Sequence, residues 1–272
     1  NIKVLCYKIF YTLGVTDEED LDYFIKWKGL INMKSAREIL ARAVILLCFS
    51  DRCALEETTI GGKSYSKKQR EDQRTAIYKW LQNKGYANYM TKSETQLFEQ
   101  EVGLGDKNEI LAMEVQHEAI EPCLWSLGLV NGLSSYDHFV LTDFHSVLQI
   151  GLQHDTAKIL DMCNLRTKED IYIQNEIAML WNWRIVEWRN LTFQTQTVKD
   201  IIVNVFGKQY EIVLENIQQL SSNQSDFMVK NKFLKDLNKQ EISQVECIAK
   251  WRLHAFEWII GDDLWDEVEL NT

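Results

Sequence analysis

The clearest pattern of apolar and polar positions in the chain begins after Ser35 and predicts a helix. Apolar residues recur there at intervals of three and four, which is the spacing of one buried helical face. They are Ile39, Leu40, Ala43, Val44 and Leu47. Ser35 and Glu38 have the spacing of a capping box, in which the two side chains satisfy free backbone N–H groups at a helix start. A buried helix is therefore expected from residue 36 onward.

The same periodicity predicts helices along most of the chain. The expected ranges are residues 17–28, 66–83, 91–100, 108–127, 142–162, 168–189 and 239–260. Pro122 should kink or restart the fourth of these, and Gly261 should end the last. Residues 200–220 combine β-branched runs with helical spacing, and a short hairpin at residues 206–208 is an alternative there.

Composition supports a helical fold. The chain of 272 residues contains one proline and 12 glycines, whereas average usage gives roughly 14 and about 19. An all-β sandwich or barrel needs such residues in its turns. The sequence therefore predicts an all-α or predominantly α protein, a multi-helix bundle with at most a minor β element.

Charge and cysteine usage narrow the partners and the compartment. The chain has 30 Lys and Arg against 40 Asp and Glu, a net charge of −10, which argues against nucleic acid because that binding needs cations at the phosphates. The longest apolar run, Ala43–Phe49, is far shorter than the ~20 residues of a membrane span. Six cysteines without a Cys-x-x-Cys pair indicate reduced thiols and a cytoplasmic location.

Catalytic templates fail when they are applied in turn. His117 and Glu118 resemble the start of a zinc-protease helix, but Glu121 stands where the second histidine is required. Gly62-Lys63-Ser64 lacks the earlier glycine of a phosphate loop, and no Gly-x-Ser-x-Gly elbow occurs. The sequence predicts no cofactor and names no metal ligand set, so it favours a non-enzymatic protein.

Aromatic residues supply one set of candidate binding residues. Trp181, Arg184 and Trp188 share a helical face, and Trp258 lies on another with Trp251. Tryptophans at such spacing pack in cores, but tryptophan is also a frequent anchor of interfaces. Both interpretations, core and groove, stay open at this point.

The second candidate set is the acidic ending, residues 262–269, which includes Trp265. Its acids are Asp262, Asp263, Asp266, Glu267 and Glu269. Grouped carboxylates suit hard cations, and an acidic surface also suits a basic protein. Acids just after a helix C-terminus are electrostatically unfavourable, because the helix dipole favours cations there. We therefore keep Asp262, Asp263, Trp265 and Asp266 as candidate binding residues.

Four segments of the chain resemble segments of one family, and they follow one another in the same order. Residues 247–268 form an Arg-x-x-Ala-x-x-Trp helix that runs into a Trp-Asp-acidic-Val ending, and residues 79–99, 118–128 and 165–183 carry the other similarities. Together they resemble the bacterial family catalogued as domain of unknown function 4272. The resemblance implies a single helical domain over residues 35–272, with an N-terminal extension at residues 1–34 and an insertion near residues 192–235. It carries no established activity.

Two functions are compatible with these features. The favoured one is a non-enzymatic cytoplasmic protein, of the adaptor or immunity type, that binds a basic protein partner. The alternative is a metal-dependent hydrolase or small-ligand-binding enzyme that uses the C-terminal carboxylates with His117 or Glu118. The alternative requires these side chains to converge around one pocket.

Overall fold

The computed structural model describes residues 33–151, 154–187, 197–208 and 210–270. The helix predicted at residues 17–28, nearly all of the N-terminal extension and the candidate residue Trp188 lie outside these ranges. The same applies to part of the insertion expected near residues 192–235.

The protein is predominantly α, as the sequence predicts. Its helices are α1 (Ala36–Ala54), α2 (Lys67–Asn83), α3 (Lys92–Glu99), α4 (Lys107–Glu114), α5 (Ile120–Ser126), α6 (Phe144–Leu148), α7 (Thr156–Met162), α8 (Lys168–Val186), α9 (Val198–Phe206), α10 (Tyr210–Glu215) and α11 (Lys239–Ile260). Short 3₁₀ turns lie at Tyr86–Tyr89, Val115–Ala119, Leu234–Asp236 and Trp265–Glu267. Two antiparallel hairpins, β1 (Thr59–Ile60) with β2 (Lys63–Ser64) and β3 (Met228–Val229) with β4 (Lys232–Phe233), are the β structure of the described residues.

Helix α1 lies at the centre of the larger core. Every residue from Ile39 to Phe49 is buried, so this helix is covered on all sides rather than on one face. The predicted capping box is present, with Ser35 and Glu38 bonded to each other's backbone N–H groups. A second capping box, between Thr91 and Glu94, begins α3.

Helices α8 and α11 pack against each other and join two apolar cores. The N-terminal part of α11, from Ile242 to Ala249, belongs to the smaller core together with α9, α10 and the β3–β4 hairpin. Its C-terminal part, from Leu253 to Ile260, belongs to the larger core around α1. One long helix therefore carries side chains at both of the regions where candidate residues lie.

Two long predicted helices are divided in the structure. The range 108–127 is interrupted by the 3₁₀ turn that precedes Ile120, and Pro122 lies in the first turn of α5, where its missing N–H costs no helical bond. The range 142–162 is divided into α6 and α7 because Gln149 and Gly151 adopt left-handed backbone angles between them. Separate N-caps, Asp143 and Asp155, begin the two short helices.

The alternative of a hairpin at residues 206–208 is wrong. Helix α9 ends at Phe206, Gly207 has a φ of 100°, and α10 begins three residues later at Tyr210. Among the described helices, none is both long enough and apolar enough to cross a membrane.

Candidate functional site

The acidic ending leaves α11 through a sharp turn at Gly261. A Cβ atom at this position would lie 2.8 Å from the carbonyl oxygen of Glu257, a distance too short for a side chain. Glycine is therefore required for the chain to turn out of the helix. Four residues later, Trp265 turns back into the core and is almost fully buried.

Trp265 fixes the ending through contacts on several sides. Its indole Nε1 donates a hydrogen bond to Oε1 of Gln116 at 3.2 Å. The ring packs edge-on against His254, with centroids 4.4 Å apart, and against Trp258 at 5.5 Å. The guanidinium of Arg42 lies 4.7 Å from the centroid of the Trp265 ring. Aromatic packing and a cation–π contact thus hold the ending in one position.

Arg42 is itself a buried cation that needs compensation. Its Nη1 donates to Oε1 of Glu94 at 2.6 Å, and its Nη2 donates to the carbonyl oxygen of Tyr89 at 2.9 Å. Glu94 also completes the capping box of α3, so its carboxylate connects α3 to Arg42 of α1. Arg42 in turn contacts Trp265 of the acidic ending. The cluster stabilises the site but offers no free charge to a partner.

The acids of the ending point to solvent. Asp262, Asp263, Asp266, Glu267 and Glu269 are all exposed, and none of them forms an ion pair with any residue in the described ranges. Leu264, between them, is 65% exposed although it is a large apolar residue. Polar support comes from Ser93, whose hydroxyl donates to Oδ2 of Asp266 at 3.1 Å.

A cation does lie at the C-terminus of α11, where the helix dipole favours one. Nζ of Lys34 donates to the backbone oxygen of Asp263 at 3.1 Å and lies 5.5 Å from the Trp258 ring. The backbone N–H of Lys34 also bonds to the carbonyl oxygen of Ile259 at 2.9 Å. Lys34 thus compensates the helix end while it leaves the side-chain carboxylates of the ending without a cation.

His254 is a neutral component of the same cluster. Burial lowers the pKa of His254 to about 4, and the neighbouring cations Arg42 and Lys250 act in the same direction. The imidazole ring that packs against Trp265 is therefore uncharged at neutral pH.

Of the two interpretations left open for the aromatic candidates, the structure supports the core. Trp181, Trp258 and Trp265 are buried, and Arg184 is fully buried. Nε and Nη2 of Arg184 donate to the two carboxylate oxygens of Asp226, each at 2.8 Å. These side chains therefore contact other groups inside the protein.

Trp181 and Arg184 support an open concavity that the sequence analysis missed. The ring of Trp181 stacks on Tyr136 with a centroid distance of 4.3 Å, and Tyr136 directly precedes Asp137 on the concavity wall. The backbone carbonyl oxygen of Asp226, whose side chain Arg184 holds, accepts a hydrogen bond from the backbone N–H of Ser221, which lines the same depression. Both candidates therefore lie one layer below its surface.

The concavity has a volume of about 530 Å³. Oδ1 of Asp137 accepts bonds from Nε2 of Gln219 at 2.7 Å and from the backbone N–H of Lys230 at 2.9 Å. Oε1 of Gln219 accepts the N–H of Tyr136 at 2.8 Å. This network ties the loop before α6 to the β3–β4 turn. A turn without glycine, Lys230-Asn231, gave little local signal in the sequence.

Of the two residues proposed as helpers in metal chemistry, Glu118 is held by other groups, whereas Nδ1 of His117 is buried without a hydrogen-bond partner among the described residues. Glu118 is buried, where desolvation raises its pKa against the influence of Arg252. It accepts the N–H of Val140 at 2.7 Å and a longer bond from Arg252 at 3.4 Å. Over the described ranges, no group of three or more His, Cys, Asp or Glu side chains is arranged to hold a metal ion.

The cysteines of the described residues are free thiols. Cys123 follows Pro122 in α5 and is fully buried, and this burial raises its pKa to about 12. A thiol with such a pKa is protonated at neutral pH and is a poor nucleophile. Its position in the core is that of a structural residue.

Comparison with known proteins identifies a family but no characterised relative. A family model with the description "Domain of unknown function (DUF4272)" matches residues 13–204. This match begins within the N-terminal segment that the resemblance left out, and it ends before the C-terminal motif at residues 247–268. No curated protein and no solved structure matches the chain.

Proposed function

We propose that this chain, which belongs to the family described as domain of unknown function (DUF4272), is a non-enzymatic protein that binds a basic protein partner through its acidic ending. It would act in the manner of an adaptor or an immunity-type inhibitor. The observation that carries the proposal is an exposed, uncompensated group of five acids around an exposed leucine, held in place by a buried tryptophan.

Electrostatics supports a basic partner. The ending places five of the 40 acidic residues on one surface of a protein whose net charge is −10. Such a surface attracts cationic proteins at long range and increases the rate of association. It also repels acidic proteins, which contributes to specificity.

Rigidity supports binding rather than simple solvation. Trp265 is fixed by Gln116, His254 and Arg42, so the backbone of the ending is ordered before any partner arrives. Preordering lowers the entropy that association costs. Leu264 lies directly beside this anchor and supplies an apolar contact at the centre of the charged surface.

The free thiols of the described cysteines support a cytoplasmic setting for this interaction, because disulfides are rare in that compartment.

Affinity capture from the native host, followed by mass spectrometry and by binding measurements with the purified candidate, tests the proposal. The wild-type protein should retain one stoichiometric basic partner, and Asp263→Lys with Asp266→Lys should lose it. Leu264→Ser should weaken the complex without changing net charge. Higher salt should also weaken the complex, because exposed charges are screened.

A matched control has the same change in net charge at another place. Glu57 and Asp72 are exposed acids far from the ending in the sequence, so Glu57→Lys with Asp72→Lys reverses two charges outside it. This variant should bind the partner nearly as well as the wild type. Equal loss of binding in both double variants would refute a role for the acidic ending.

A further inference from the structure

The concavity beside the β3–β4 hairpin has the features of a second, independent binding site. We propose that it binds a small uncharged polyhydroxylated ligand, a sugar or short saccharide, between Asp137 and the Lys230-Asn231 turn. This site is separate from the acidic ending, since the two belong to different apolar cores.

Size and shape agree with a small ligand. Its volume of about 530 Å³ falls within the range of about 300–1,000 Å³ that is typical of small-molecule sites. The depression is open to solvent on one side, which suits a ligand that keeps some of its hydroxyl groups hydrated.

The lining groups both donate and accept hydrogen bonds. Exposed amide side chains come from Gln218 and Asn231, and an exposed hydroxyl comes from Ser222. Each amide offers a carbonyl oxygen and an NH₂ group. Sugar hydroxyls are donors and acceptors at once, so they match such a surface better than a ligand with acceptors alone.

Charge in the concavity is balanced, which argues for an uncharged ligand. Asp137 and Lys230 are the two charged residues among its lining side chains. Oδ1 of Asp137 already accepts two bonds, while Oδ2 accepts none from the described residues and remains available to a hydroxyl group. With one carboxylate and one ammonium group in the lining, a phosphate would be held poorly.

Apolar atoms complete the match. Met228 and Phe233, which pair across the hairpin, supply apolar surface to the lining. The C–H face of a sugar ring is apolar and packs well on such side chains.

The backbone of the site is fixed in advance. Lys230 and Asn231 have φ values of 49° and 63°, as a two-residue hairpin turn requires, although neither is glycine. Left-handed angles at non-glycine residues cost free energy and are frequent at functional sites. Asp137 accepts a hydrogen bond from the backbone of the turn, and the stack of Tyr136 on Trp181 fixes the residue next to Asp137.

Saturation-transfer NMR with the full chain tests this proposal. The probes are glucose, N-acetylglucosamine and maltose, with the dipeptide glycylglycine and methyl phosphate as comparison ligands. At least one sugar should give a saturable signal, and the comparison ligands should give none. The absence of a saturable signal from all three sugars, or stronger binding of either comparison ligand, would overturn the proposal.

Two variants locate the signal. Ser222→Trp fills the concavity from an exposed position and should weaken sugar binding at least about tenfold, whereas Ser243→Trp on an exposed position of α11 should leave it unchanged. Asn231→Gly retains the turn, since glycine favours left-handed angles, and should weaken binding about threefold to tenfold through loss of one hydrogen bond. Unchanged melting temperatures establish that the variants are folded. Sugar binding that Ser222→Trp leaves intact would place the ligand elsewhere and refute the site.

Discussion

Two buried arginines, Arg42 and Arg184, support the two exposed surfaces of this protein in different ways. Arg184 is matched by Asp226 in a two-bond fork, and the concavity above it carries balanced charge. Arg42 donates hydrogen bonds to Glu94 and to a backbone carbonyl oxygen, and its guanidinium also lies over the rings of Trp258 and Trp265. The surface above Arg42 is strongly acidic.

In both places the buried tryptophans and arginines of the described residues lie beneath exposed groups and support them. Large side chains such as Trp181 and Trp265 are buried where they hold a hairpin or an ending in position. The groups that solvent or a partner can reach are smaller neighbours, such as Leu264 and Asn231. The contrast between the charge-balanced surface and the acidic surface can be tested by changing the groups beneath each surface one at a time and measuring stability.

The largest effect is expected from Asp226→Ala. It leaves the guanidinium of Arg184 buried without its carboxylate, and breaking a buried pair costs about 3–5 kcal/mol of unfolding free energy. Urea denaturation should show this loss. The control is Glu101→Ala in the exposed pair with Lys67, which should cost at most about 1 kcal/mol. Similar losses in both variants would mean that burial does not set the strength of the Arg184 pair.

A smaller loss of stability is expected at low pH from His254, which packs beneath the acidic ending. The pKa of His254 is about 4 in the folded protein against an ordinary value of 6.5. Between these pH values the unfolded chain takes up a proton at His254 that the folded protein does not, so stability is full above pH 6.5 and falls as the pH decreases toward 4. The loss attributable to this residue is about 3 kcal/mol.

Comparison of wild type with His254→Gln isolates that contribution. The unfolding free energy of the variant should fall less than that of the wild type between pH 7 and pH 4. His117 and His154 also have lowered pKa values, and their contribution is common to both proteins. Equal losses in the two proteins would contradict the assignment to His254.

The contribution of His145 to stability depends on pH in the opposite direction. Its hydrogen bond to Asp51, at 2.9 Å, raises its pKa, so the stability it supplies is present at low pH and is lost as the pH rises through the folded value. Both side chains of this pair are partly exposed, and solvent reduces its contribution. His254 should therefore shape the stability profile below pH 6.5, whereas the smaller effect of His145 should appear above that pH, where the contribution of His254 is already constant.

Local signals explain what the sequence could predict. Ser35, Glu38 and Gly261 act on neighbouring backbone, so the start of α1 and the range of α11 follow from a few adjacent residues. The exposure of the acids follows from their charge. These are properties of a residue and its immediate neighbours.

Long-range contacts explain what it could not predict. Arg184 meets Asp226 across 42 residues, and Gln219 meets Asp137 across 82. No periodicity marks such pairs, so the burial of Arg184 and the existence of the concavity appear only in the folded chain. The division of residues 142–162 was missed for another reason: the C-cap of α6 is Gln149, which is not a residue type that signals a helix end, and Gly151 lies two residues beyond it.

The smallest loss of stability is expected from Lys34→Met, which tests how the acidic ending is joined to α11. Nζ of Lys34 bonds to the oxygen of Asp263 beside the helix C-terminus, and such a cation contributes about 0.3–1 kcal/mol. Thermal unfolding at low salt should show a loss of that size, and the loss should shrink as salt screens the interaction. Lys79→Met, at an exposed position of α2 that precedes its last turn, removes the same charge without a contact to a helix end and should leave stability nearly unchanged. If the two variants lose the same stability, Lys34 acts only through net charge. A loss confined to Lys34→Met means that this lysine neutralises the helix end, and the carboxylates of the ending then remain uncompensated and available to a basic partner.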